Sequence, residues 1–261
     1  MAPIFLPDLR LNAELSGPAK GPGLVLIHAL GLNLRLWDEV AALLPRHRIL
    51  RFDLRGHGES GVPPGPYAMG QLVRDAERLI EHAGLRETVV LGLSIGGLVA
   101  QGLAVKRLDL VRGVVLSNTA ARIGTAAQWQ ARIDSVRESG LAAIHDANME
   151  RWLGRNWRLN PALPGLSRAF LATDAQGWAG AAAAIAGTDF YETTASLRLP
   201  ALFIAGGNDG STPADLVRET ARLIPGHDFR LIRGAGHIPM AEKPAEYAAI
   251  LDAFLTGIGH G

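Results

Sequence analysis

Six short apolar runs constrain the fold of this chain more than any other feature: Leu24-Val-Leu-Ile-His28, Ile49-Leu-Arg-Phe-Asp53, Thr88-Val-Val-Leu-Gly92, Gly113-Val-Val-Leu-Ser117, Ala201-Leu-Phe-Ile-Ala205 and Phe229-Arg-Leu-Ile-Arg233. Nearly continuous apolar runs of this length, bounded by Gly, Pro or charge, are what parallel strands look like when helices cover both faces. Amphipathic segments of helical period lie between several of them, over residues 69–83, 97–106 and 213–223. The alternation predicts βαβ units and an α/β fold with a mostly parallel, doubly wound sheet. Residues 4–15, with Pro7-Asp8 in the middle and Ser16-Gly-Pro after them, read as an antiparallel hairpin on the sheet edge.

The rhythm breaks between about residues 120 and 196, where helical patterns and Ala-rich sequence replace strand-like runs and four of the five Trp are found. These residues read as a helical cap inserted into a core made of residues 1–119 and 197–261. No linker or internal repeat separates the two, so the cap is expected to pack on the core.

Composition removes whole classes of function. Hydrophobic residues make up 48% of the 261 and charged residues 20%, which rules out a disordered chain or a coiled coil. Lys plus Arg is 26 against 25 Asp plus Glu, with no basic block, so the charged stripe that nucleic-acid binding needs is missing. The absence of Cys excludes a disulfide framework, a thiolate metal site and a cysteine nucleophile. No signal peptide is visible at the start, and the uncharged stretch 21–34 is broken by Gly and Pro and falls short of the roughly 18 residues of a membrane span. A cytoplasmic protein with neither membrane nor nucleic acid as partner is expected.

The chemistry concentrates in Val89-Val-Leu-Gly-Leu-Ser-Ile-Gly-Gly-Leu-Val-Ala100, which places Gly-x-Ser-x-Gly between a strand and a helical pattern. A strand that turns sharply into a helix exposes the serine oxygen, strains its backbone, and needs small residues at Gly92 and Gly96. The same turn aims the Ile95 N–H at the place where an oxyanion would form. The alternative is a Gly-rich turn with an exposed serine. A serine hydroxyl is a poor nucleophile at neutral pH and needs a base, which in turn needs an orienting carboxylate. Asp209, in Ala205-Gly-Gly-Asn-Asp-Gly210, and His237, in Arg233-Gly-Ala-Gly-His-Ile-Pro239, each follow a predicted strand in the order Ser, Asp, His. Asp215 competes, but Thr212-Pro-Ala-Asp215 looks like a first helical turn, where an acid complements the dipole. His28 and His57 also follow strands; a structural turn is the expected role of His57, and His28 precedes the loop from which a second oxyanion donor, Leu30 N–H, is expected.

Gly56-His-Gly-Glu-Ser-Gly61 matches the dinucleotide fingerprint, yet Val62-Pro-Pro-Gly-Pro66 follows where a helix would have to start. With no Walker lysine motif and no His pair at metal spacing, neither cofactor nor metal is expected.

These motifs resemble the α/β-hydrolase superfamily. Within it, Leu30-Gly-Leu-Asn-Leu-Arg-Leu-Trp-Asp38, Phe52-Asp-Leu-Arg-Gly-His-Gly-Glu-Ser60 and Leu116-Ser-Asn-Thr-Ala-Ala-Arg-Ile-Gly124 look like the 3-oxoadipate enol-lactonase family of the β-ketoadipate pathway. The resemblance implies an α/β-hydrolase fold, Ser94 as nucleophile, His237 as base, Asp209 as its orienter, Leu30 and Ile95 N–H as oxyanion hole, and a small lactone or ester as substrate. It also implies a cation for a substrate carboxylate, for which Arg122 and Arg132 flank Trp129; Trp129 and Trp178 would wall the pocket. Solvated arginines and ordinary cap packing are the alternatives for these four. A carboxylesterase or C–C bond hydrolase with the same triad, or a binding module that retains the fold, are the competing activities.

Overall fold

The computed structural model describes residues 4–5, as backbone, and 9–261. Its strands are β1 (Ile4–Phe5), β2 (Arg10–Leu11), β3 (Ala13–Ser16), β4 (Gly23–Ile27), β5 (Arg48–Phe52), β6 (Thr88–Leu93), β7 (Val111–Ser117), β8 (Ala201–Gly206) and β9 (Asp228–Ile232). Its helices are α1 (Asp38–Ala42), α2 (Met69–His82), α3 (Ile95–Lys106), α4 (Ala126–Ser139), α5 (Ala142–Leu153), α6 (Leu163–Leu171), α7 (Ala175–Ala186), α8 (Tyr191–Ala195), α9 (Ala214–Ala221), α10 (Pro239–Glu242) and α11 (Pro244–Gly257).

All six predicted strands form, within a seven-stranded sheet of order β3-β5-β4-β6-β7-β8-β9. Every pairing in it is parallel except that of β3 with β5. Strands β4, β6 and β8 are buried along their whole length, which explains why their sequences run apolar without alternating. One set of packed helices comprises α2, α3 and α8, and another α1, α10 and α11. Among the described residues no helix is long and apolar enough to cross a membrane.

The expected N-terminal antiparallel pairing forms, but its place needs correction. β1 pairs antiparallel with β2 in a separate two-stranded ribbon, and β3 alone joins the sheet edge. The cause lies in the turn after β5, which captures the chain between the two pairings: Gly61 N donates to Arg10 O at 2.9 Å, Asp53 N to Asn12 O at 2.9 Å, and Asn12 Nδ2 to Asp53 Oδ2 at 2.7 Å. The Pro7-Asp8 turn lies outside the described residues.

Between β7 and β8 the described chain is helical, with α4 packed on α7 and α5 on α6. The Ala and Gly of α7 permit a backbone contact: a Cβ on Gly177 would lie 2.1 Å from Gly56 O. The helices of this segment thereby rest on the loops that follow the C-terminal ends of the strands, where ligands bind in open α/β sheets.

Candidate active site

Ser94 stands between β6 and α3 with φ 57° and ψ −117°, a left-handed conformation that costs a non-glycine residue free energy. Its neighbours are small because backbone crowds them: a Cβ on Gly92 would lie 2.0 Å from Gly96 O, and one on Gly96 would lie 2.4 Å from Ile27 O. The end of β7 holds the strained turn, with Ser94 N donating to Ser117 O at 3.1 Å and Thr119 Oγ1 to Ser94 O at 2.7 Å.

The loops after β8 and β9 bring Asp209 and His237 together. His237 Nδ1 lies 2.8 Å from Asp209 Oδ2, and since a carboxylate can only accept, Nδ1 carries the proton and Nε2 presents its lone pair. Four further donors surround the same carboxylate: Asn118 Nδ2 at 2.9 Å and Thr212 Oγ1 at 2.8 Å on Oδ2, Ser211 N at 2.7 Å and Thr212 N at 3.1 Å on Oδ1. Burial opposes the charge on Asp209, but His237, Asn118 and the Ser211 N–H outweigh it and hold the carboxyl below its ordinary range. Among the described residues no hydrogen bond joins Ser94 to His237; both line one cavity of about 550 Å³. Hydrogen bonds of this kind are commonly loose without substrate and tighten in the complex. Asp215 sits in the first turn of α9, where its Oδ1 accepts Leu216 N at 2.9 Å, and does not line the cavity.

Leu30 lines the cavity too, on a loop several of whose backbone groups are committed. Gly31 N donates to His57 Nε2 at 3.0 Å, Leu32 N to Ala29 O at 3.1 Å, and Thr173 Oγ1 to Gly31 O at 3.1 Å. His28 Nδ1 donates to Ala29 O at 2.7 Å while its Nε2 accepts Leu54 N at 2.9 Å. Each ring nitrogen that faces a backbone N–H must accept, so both imidazoles are neutral here. Burial pushes His28 down to about 4, and burial with His28 beside it pushes His57 down to about 3. The Leu30 and Ile95 N–H groups have no partner among the loop and turn hydrogen bonds of the described residues.

Trp129, Trp178 and Arg132 line the cavity, with the Arg132 guanidinium 4.6 Å from the Trp129 ring and 5.4 Å from that of Trp178. Arg122 does not: it is exposed and faces Asp189 at 3.6 Å, because its side chain leaves the buried Ala121 and Ile123 backbone towards solvent. Sequence reasoning missed Asn148, Arg151 and Trp152, which line the cavity from α5, and Asn118, which braces Asp209. A helical register puts Asn148 and Arg151 on one face, but nothing local says which face meets the core. Among the described residues no group of three or more His, Asp or Glu could hold a metal ion.

The α/β-hydrolase fold family matches residues 22–244 of this sequence. The chain belongs to that family. A 3-oxoadipate enol-lactonase of Acinetobacter baylyi is 32% identical over 252 residues, covering 95% of this chain and 94% of that protein. The solved enol-lactonase of Burkholderia xenovorans superposes with a TM-score of 0.91 at 33% identity, covering 95% of this chain and 97% of that one. A thermophilic esterase of Thermogutta terrifontis, solved with malate bound, superposes with a TM-score of 0.90 at 29% identity, covering 96% and 94%. The fold class and the resemblance to enol-lactonases read from the sequence are both borne out.

Proposed function

We propose that the protein is a serine hydrolase that opens 3-oxoadipate enol-lactone to 3-oxoadipate, a step in cytoplasmic aromatic catabolism. The observation that carries the reading is the Asp209–His237 bond at 2.8 Å beside a strained serine on the same cavity wall. Residues 120–196 act as the cap over this site.

Ser94 Oγ attacks the lactone carbonyl carbon while His237 Nε2 takes its proton. The carbonyl electron pair moves to oxygen, where Leu30 and Ile95 N–H receive it; such a donor is worth about 3 kcal/mol in other hydrolases. Collapse breaks the ring C–O bond, and the departing enol oxygen takes the proton from His237 and tautomerises to a ketone. That tautomerisation makes ring opening favourable. Water then attacks the acyl-enzyme with His237 as base again, releasing a carboxylate, a proton and free Ser94.

Arg132 supports an anionic acyl chain. Among the described residues it faces no carboxylate, and its contacts are two indoles and the Asn148 amide oxygen at 2.7 Å. Burial and the neighbouring Arg151 both push its guanidinium downward, a cost that a substrate carboxylate would offset. The enol-lactonases of A. baylyi and B. xenovorans support the lactone, and the T. terrifontis esterase keeps a carboxylesterase as the second reading. Comparing kcat/KM for the enol-lactone and for a neutral alkyl ester of similar size decides between them. Faster loss of the enol-lactone absorbance supports the proposal; equal or reversed preference makes the protein a general esterase.

A further inference from the structure

Two guanidiniums, those of Arg132 and Arg151, line the cavity. Neither is bonded to a carboxylate among the described residues. Among the described residues no Asp or Glu belongs to the cavity lining. A wall with two guanidiniums and, among the described residues, no acid suits a ligand that is more than singly charged.

We propose that Arg151 is a second anion-binding residue of this cavity, and that the site therefore prefers ligands with two carboxylates over ligands with one. The inference rests on the cavity being the acyl site of an ester hydrolase. Asn148 and Arg151 lie one helical turn apart on α5, so a single face presents an amide and a guanidinium. The backbone beneath is fixed, since Arg151 O accepts Gly210 N at 2.9 Å, while the side chain itself is exposed at the cavity mouth. Arg132, half-buried between two indoles, is the inner cation, and Arg151 is the outer one. Hydrolysis of a lactone that carries one carboxylate generates a second as the acyl bond is cut. That second carboxylate arises at Ser94, so a ligand with two carboxylates belongs to the product class.

Inhibition of p-nitrophenyl acetate hydrolysis by adipate and by hexanoate, equal in chain length, measures this at fixed ionic strength. The inhibition constant of adipate is expected about 10-fold below that of hexanoate, the scale of one charge-assisted hydrogen bond. Arg151→Gln should bring the ratio close to one. Arg137→Gln, which removes the same charge from an exposed position on α4, should leave the ratio as it is. Equal inhibition in the wild type, or an undiminished ratio in Arg151→Gln, overturns the proposal. Should Arg151→Gln not fold, Arg151→Lys keeps the charge without the planar fork and should lower the ratio partway; an unchanged ratio there contradicts the proposal as well. If the protein does not turn over p-nitrophenyl acetate, the hydrolase reading has failed, and calorimetric titration of both acids into the same protein still decides the two-carboxylate site.

Discussion

The backbone N–H of His237 donates to Trp152 O at 2.6 Å, and the Trp152 ring stacks on the imidazole with centroids 6.1 Å apart and planes 24° apart. The preceding carbonyl, Arg151 O, holds Gly210 N in the loop of Asp209. The C-terminal end of α5 therefore grips both loops that carry the proposed base and its orienting carboxylate, so α5 positions His237 as well as walling the cavity.

Trp152→Ala should thus affect more than packing. Losing a buried indole costs about 3 kcal/mol or more of stability, read by chemical denaturation. With the stack gone, kcat on any ester should fall further than KM rises, because His237 loses orientation rather than the substrate its contacts. Gly236→Ala tests the same joint from the other side: its Cβ would lie 1.9 Å from Trp152 O, backbone that cannot yield cheaply. Wild-type kcat in both variants would contradict a positioning role for α5.

Asn118 adopts φ 44° and donates to both Asp209 Oδ2 and, at 3.2 Å, Gly236 O. Asn118→Ala removes a donor that keeps the Asp209 carboxyl low, and kcat should fall about 10-fold, the scale of one hydrogen bond to a charged group. Asn118→Asp has the same shape but sets a like charge against Asp209, so it should fall further, with the acid limb of the kcat/KM profile moved to higher pH. Equal activity of the two variants would argue against an electrostatic role.

The strands and the strained strand-to-helix turn at Ser94 were legible in the sequence because both are local. A β-branched run between breakers has few alternatives, and Gly92 and Gly96 report crowding within a few residues of Ser94. The antiparallel pairing of β1 with β2 was legible, but its separation from the sheet was not, because the ribbon is cut from β3 by bonds from Asp53 and Gly61, some forty to fifty residues away in sequence. Arg122 and Arg132 could not be told apart for a similar reason: the packing of α4 on α7 turns Arg132 towards the indoles, while burial of Ala121 and Ile123 turns Arg122 outward. His57 looked like a turn residue and His28 like the start of the oxyanion loop; their bonds to Ala29 O and Gly31 N, on either side of Leu30, appear only when the loops meet.

Those two histidines set a pH dependence. Their folded values of about 4 and about 3 lie below the ordinary value of 6.5, so between these limits the unfolded chain binds more protons than the folded one. Their contribution is complete above pH 6.5 and is lost as pH falls through about 4 and about 3, on the order of 3 kcal/mol each. Denaturation midpoints should drop steeply below pH 6. His57→Gln, which keeps an acceptor for Gly31 N but does not titrate, should flatten the curve; an unchanged slope would remove His57 from the account.

Labelling with a fluorophosphonate, followed by mass spectrometry of the digested protein, tests the proposed nucleophile most directly. The account expects one adduct, on the peptide carrying Ser94, absent from Ser94→Ala and formed orders of magnitude more slowly in His237→Ala, with Asp209→Asn lowering kcat by about 10⁴ in parallel. An adduct on another residue, or ester turnover that survives in Ser94→Ala at the wild-type rate, would contradict it.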